Sequence, residues 1–200
     1  MEKSTVTGLI LAGGKSRRLG QDKRFLELGG RTCLERVLDV FKEVFEDVLV
    51  VADAAEPFKG IGVKVVVDLI PGRATLGGLY TGLHYAASDR VFAAACDMPG
   101  LSPPAIRVVL AHAGDGDIVI PDLDGQLQPM HAVYSKACLP VLQSLVEAQA
   151  LKLQDLCARP ELRIYRIPKA AFQAVDPDLR SFFNINTPDD LAQARKWIGP

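Results

Sequence analysis

The sequence predicts an α/β fold: a doubly wound, mostly parallel sheet with helices on both faces and a small antiparallel hairpin added to it. Three observations carry this reading. Short apolar, β-branched runs alternate with stretches of helical periodicity along the chain. Several of the runs are apolar on both faces, as strands covered on each side by helices must be. The first run also leads straight into two glycines, Gly13 and Gly14, where a strand gives way to a tight loop.

The elements follow in order. Val6 to Leu11 reads as the first strand. Thr32 and Glu35 form a capping box, and Leu34, Val37, Leu38, Phe41 and Phe45 continue at helical spacing. Strands are expected at Val48 to Val51, Val63 to Val67, Val91 to Cys96, Ile118 to Ile120 and Met130 to Tyr134. Helices are expected to start near Leu76 and near Pro104, and a further one to span Lys136 to Gln149. Thr187 as cap, Pro188 at the first helical position, and Asp189 and Asp190 at the positive helix end mark the final helix. Between Pro121 and Pro129 the Asp124-Gly125 pair is a strong hairpin signal and accounts for the antiparallel addition. There is no internal repeat, so residues 1–200 are read as one domain.

The composition narrows the function. With 24% charged residues and a net charge of −1, the chain lacks the basic excess of a general nucleic-acid binder. No apolar run reaches the roughly 18 residues of a membrane span, and Met1 to Thr5 carries no apolar signal segment, so no membrane partner and a cytoplasmic location are expected. Cys33, Cys96, Cys138 and Cys157 are far apart and form no Cys-x-x-Cys pair. That spacing argues against zinc or iron–sulfur sites and for buried, reduced thiols.

The densest signal lies after the first strand. Gly13 and Gly14 allow close backbone approach and expose amides, and Lys15, Arg17, Arg18, Lys23 and Arg24 surround them with positive charge. Such a loop suits a polyphosphate. It is not a Walker A loop, because the glycine required with four residues between it and Gly14 would stand at position 9, which is Leu9. Nor does Gly13-Gly14 followed by Gly20 give the spacing of a dinucleotide fingerprint. Asp97 follows the apolar run Val91 to Cys96 and Asp68 follows Val65 to Val67, which puts two carboxylates at the strand edge where open α/β sheets bind ligands. Asp22 is read as orienting Lys23, since a carboxylate beside phosphate would repel it.

The run Leu11-Ala12-Gly13-Gly14-Lys15-Ser16-Arg17-Arg18-Leu19-Gly20-Gln21-Asp22-Lys23 resembles the signature of the nucleotidyltransferases that activate sugars, cofactors and lipids. Among these it is similar to the molybdenum cofactor guanylyltransferases (molybdopterin-guanine dinucleotide biosynthesis protein A), with their Rossmann-like fold. The resemblance implies GTP bound by Leu11, Ala12, Gly13, Gly14, Lys23, Asp68, Gly78 and Asp97. Lys23 and Arg18 would contact the triphosphate, and with Asp97 they form the implied catalytic set. Asp97-Met98-Pro99 matches the family's Asp-x-Pro, which makes Asp97 the implied Mg²⁺ ligand, a hard oxygen donor suited to that ion. Gly13 stands where the sister cytidylyltransferases carry Ala, which favours the larger guanine. Gly72 to Leu79 aligns with the segment lining the nucleotide site but lacks its proline. The Gly77-Gly78 pair, costly inside a helix, suggests close approach of a ligand. Asn184-Ile185-Asn186-Thr187-Pro188 matches the segment facing the acceptor, so Asn184 and Asn186 are the implied acceptor-binding residues, against the alternative that Asn186 only serves a turn and helix cap. Ala52 departs from the family, which often has Asn there, and Asp53 is a candidate substitute. His131, on the acceptor-facing strand, reads first as a satisfied strand histidine.

The expected activity is transfer of GMP from GTP to the molybdopterin cofactor, releasing pyrophosphate. Proteins that deliver the pterin or receive the dinucleotide are the expected macromolecular partners. Two rivals stand beside it: a related nucleotidyltransferase using CTP or a sugar phosphate, and a GTP-binding regulatory protein without catalysis. Retention of both Lys23 and Asp97 speaks against the second.

Overall fold

A computed structural model describes residues 2–13, 22–149 and 152–199. Strand β1 (Thr7–Leu11) is buried along its whole length, with alternate side chains facing opposite sides of the sheet. Beyond it come a two-residue hairpin, β2 (Glu27–Leu28) and β3 (Arg31–Thr32), and helix α1 (Cys33–Val44). Thr32 and Glu35 close the expected capping box. Strands β4 (Val48–Ala52) and β5 (Lys64–Val67) precede α2 (Ala74–Tyr85), and β6 (Arg90–Ala95) precedes α3 (Pro103–Leu110). Next come β7 (Ile118–Leu123), β8 (Gln126–Leu127), β9 (His131–Ser135) and α4 (Leu139–Glu147), whose expected first turn is instead the 3-10 turn Lys136–Cys138. Strand β10 (Ile164–Pro168), α5 (Lys169–Gln173) and α6 (Pro188–Ile198) complete the order.

Among the described residues one sheet runs β10-β7-β9-β6-β1-β4-β5, with β8 paired to β7. Strands β5, β4, β1 and β6 are parallel neighbours, and β10 is parallel to β7. Strand β9 runs antiparallel to both β6 and β7, so the sheet is mostly parallel with an antiparallel insertion. The β7–β8 turn is at Asp124 (φ 55°) and Gly125 (φ 90°), the left-handed pair that a tight hairpin demands. Helices α1, α3 and α5 bury Leu34, Val37, Phe41, Ile106, Val109 and Phe172 on one face. Helices α2 and α4 bury Leu76, Leu79, Leu83, Leu142 and Leu145 on the other. A third cluster joins α6, through Ala194, to Leu26 and Leu28 beside the β2–β3 hairpin.

All four cysteines are buried and unpaired. Burial pushes the thiols of Cys33 and Cys157 up to about 11 and that of Cys138 to about 12. No described helix is long and apolar enough to cross a membrane.

Candidate active site

From β1 the chain first builds towards β4 and β5, then returns to β6 on the other side of β1. The strand order therefore reverses between β1 and β6, and open α/β sheets bind ligands in the crevice at such a point. Leu11 and Ala95 are the last paired residues of these two strands, and Gly13 and Asp97 each lie two residues further on. The glycine and the carboxylate thus face each other across the crevice. Asp97 is half-buried, and Gly13 is exposed.

Leu11 and Ala12 fix the position of this rim. Ala12 donates its amide to Val51 O (2.8 Å), and Leu11 O accepts from the Cys96 amide (3.1 Å). Ala12 O accepts from Arg24 Nη1 (3.0 Å). Of the three residues expected to hold the nucleoside, Gly13 is the one past the ladder and open to solvent.

Gly14 and Arg18, with Lys15 and Arg17, lie outside the described residues. Lys23 opens a 3-10 turn, Lys23–Phe25, and its side chain also lies outside them. The expected pairing of Asp22 with Lys23 therefore lies outside the described residues, while the neighbours of Lys23 are described. The Asp22 carboxylate pairs with the Arg24 guanidinium, and this pairing holds Asp22 below the usual carboxylate range. Arg24 also lies over the rings of Phe58 (5.2 Å) and Phe25 (5.6 Å). Arg24, one of the five cations read around Gly13 and Gly14, thus ties residues 22–25 to the end of β1.

Asp68 sits at the end of β5, its amide donating to Ala52 O (2.9 Å). Its Oδ1 accepts from the Ile70 amide (3.0 Å) and from the Thr81 hydroxyl (2.8 Å). Thr81 Oγ1 in turn accepts from the Leu69 amide (3.0 Å). Asp68 therefore shapes the β5–α2 turn with one carboxylate oxygen. Thr81, fully buried, is a supporting residue with no local sequence signal.

The Gly77-Gly78 pair has a packing cause. A Cβ on Gly77 would lie 2.7 Å from Ile70 O and 3.0 Å from Asp68 Oδ2, and one on Gly78 would lie 3.1 Å from Leu11 Cδ2. Bare backbone lets the start of α2 press against the turn and the end of β1.

Asn184, far along the chain, is brought beside Asp97 because the Ile185 amide donates to Asp97 O (3.0 Å). Next to Asp97 a cavity of about 400 Å³ is lined by Met98, Thr75, Leu127 to Met130, Lys152 to Gln154 and Asn184. Asn184 Oδ1 is buried there without a hydrogen-bond partner. Asn186 does not line the cavity; it is exposed, and its amide donates to Asp190 Oδ2 (2.9 Å) beside the α6 cap. Thr75 lies in the Gly72 to Leu79 segment already singled out, whereas Lys152 and Gln154 escape a reading of the sequence because they carry no motif.

His131 also stays away from the cavity. Its ring sits among Phe182 (4.7 Å), Phe92 (5.0 Å) and Phe172 (6.1 Å). It is a core histidine, as expected, but not a satisfied one, since neither ring nitrogen has a partner. Burial lowers its pKa to about 4. The backbone of Ala105 and Ser181 approaches the ring without meeting hydrogen-bond geometry and offsets that penalty only in part.

No group of three or more His, Cys, Asp or Glu among the described residues could hold a metal unaided. Asp97 is a carboxylate at the crevice, which suits an ion shared with substrate phosphates.

Residues 8–163 match the model of the MobA-like NTP transferase domain. A relative in Pelotomaculum thermopropionicum, named "Probable molybdenum cofactor guanylyltransferase", is 38% identical, the match covering 94% of this chain and 91% of the relative. The "Molybdenum cofactor guanylyltransferase" of Desulfosudis oleivorans is 37% identical, with 96% of both chains covered. In three dimensions the chain is similar to molybdopterin-guanine dinucleotide biosynthesis protein A from Archaeoglobus fulgidus, with a TM-score of 0.84 and 26% identity over 96% of this chain and 97% of that one. The chain therefore belongs to the MobA-like NTP transferases, among the molybdenum cofactor guanylyltransferases.

Proposed function

We propose that the chain transfers GMP from GTP to the molybdopterin cofactor, yielding molybdopterin guanine dinucleotide and pyrophosphate, in the cytoplasm. A phosphate oxygen of the acceptor attacks the α-phosphorus in line. The new P–O bond forms as the bond to the β-phosphate oxygen breaks, and pyrophosphate leaves with the electron pair. The protein's task is to position both partners and offset developing negative charge.

The observation that supports this reading best is the register of β1 with β6, which sets Gly13 and Asp97 across one crevice with the Asn184-lined cavity alongside. In this reading Leu11, Ala12, Gly13, Gly14, Asp68 and Gly78 hold the nucleoside end of GTP. Lys23 and Arg18 face the leaving phosphates. Asn184 reaches the acceptor from the cavity wall, and Asn186 contributes from the rim. Nucleotidyltransferases of this family typically use a divalent metal. Asp97 would hold it, with Mg²⁺ the ion proposed, and when bound Mg²⁺ supplies positive charge to the phosphate oxygens.

The test is incubation of the purified protein with molybdopterin cofactor and GTP or CTP, with the dinucleotide identified by mass spectrometry. The guanine dinucleotide and pyrophosphate are expected. Preferential consumption of CTP, or GTP binding with no product at saturating cofactor, would refute the proposal.

A further inference from the structure

Asp53 stands at the same rim, on the side of Gly13 away from Asp97. Leu11 pairs with Val51, so Gly13 and Asp53 each lie two residues beyond a paired position on adjacent strands. Both are exposed. A Cβ on Gly13 would lie 3.1 Å from Asp53 Oδ1, so the bare backbone at 13 borders directly on that carboxylate. Ala52 is fully buried in the core and offers the rim nothing polar. Arg24, which holds Ala12 O, lies within electrostatic reach of Asp53.

We infer that Asp53 is a specificity-determining residue, whose carboxylate reads the adjacent N1–H and N2 amino donors of a guanine lying against Gly13. The inference rests on the proposed placement of the nucleoside at residues 11–13. A carboxylate is acceptor-only, with two oxygens, and so matches two neighbouring donors. Cytosine and adenine present one amino group beside a ring-nitrogen acceptor, which a carboxylate repels. Gly13 contributes by lacking a methyl: the space it leaves borders the reading carboxylate, so the glycine serves base selection through Asp53.

The experiment compares equilibrium binding of GTP, ITP and XTP to the full chain and to D53A and D53N. ITP lacks the 2-amino group, and XTP replaces it with an acceptor oxygen. The wild type is expected to prefer GTP over ITP by about tenfold or more, the scale of one hydrogen bond to a charged group. In D53A that preference should fall to within about twofold of unity, the hydrogen bond being gone. D53N should gain XTP binding, because an amide accepts from N1–H and donates to the 2-oxygen. That gain cannot come from misfolding. A wild type that binds GTP and ITP equally, a D53A that keeps the GTP preference, or a D53N without improved XTP binding would overturn the role of Asp53 while leaving the GTP site standing. A wild type that binds none of the three would overturn the site reading and the inference with it.

Discussion

Acid should weaken this protein through one ring. In the folded chain His131 titrates near 4, because burial among Phe92, Phe172 and Phe182 disfavours its charged form; in the unfolded chain it titrates near 6.5. The folded-state value is the lower one, so the unfolded state binds the proton first as pH falls. Stability is therefore unaffected by this group above about pH 6.5, declines below it, and levels off below about 4, with the remote charge of Asp176 opposing the change. Each pH interval of one between the two titrations is worth about 1.4 kcal/mol, so the full window amounts to about 3 kcal/mol. That is a large part of the roughly 5–15 kcal/mol that holds a domain together. The check is urea unfolding of wild type and H131F at half-unit steps from pH 7.5 to 4.5. Other titrations are common to both and cancel in the difference. Wild type should lose stability relative to H131F by roughly 2 kcal/mol between pH 6.5 and 5. A difference that stays flat across that range would refute the reasoning.

Three further outcomes are expected. D97A should keep its fold, since Asp97 is half-buried at the rim, but lose at least about a hundredfold in turnover, the scale of removing a preorganised charge contact; pyrophosphate release alongside circular dichroism checks both parts. Replacing Thr81 with Val should cost about 1–3 kcal/mol in thermal or urea unfolding, because Asp68 Oδ1 and the Leu69 amide each lose a partner. The four cysteines should resist a thiol-reactive dye in the native protein and react together on unfolding, since each is buried and burial disfavours the thiolate.

The sequence carries the frame well because frame signals are local. The Thr32–Glu35 box, Thr187 with Pro188, and Asp124-Gly125 each state their own geometry within four residues, and the structure has all three. Strand β10 is not legible, since Ile164–Pro168 is short, half polar and ends on proline, as an edge strand can be. The β2–β3 hairpin also goes unread, although Gly29 and Gly30, both at positive φ, signal it. At the site, Asp97 and Asp68 are legible because each ends an apolar run. The Asp22–Arg24 pair is not legible, because two cations, Lys23 and Arg24, follow Asp22 and charge alone does not single out Arg24. Gly77 and Gly78 read as room for a ligand, and the structure adds close contacts to the nearby Asp68 turn and to Leu11 that the sequence does not spell out. Thr81 and the cavity residues Lys152 and Gln154 need the tertiary fold, since nothing in their neighbours hints at a partner.

The bond from the Ile185 amide to the Asp97 carbonyl ties the middle of the chain to a segment synthesised much later. A nascent chain that has reached residue 180 holds every strand of the sheet and most of its helices, yet lacks Asn184 on the cavity wall and the α6 buttress behind Leu26 and Leu28. Competence thus arrives late on the ribosome, after the scaffold, and trimming the chain ahead of Asn184 should leave a folded shell with no wall to its cavity.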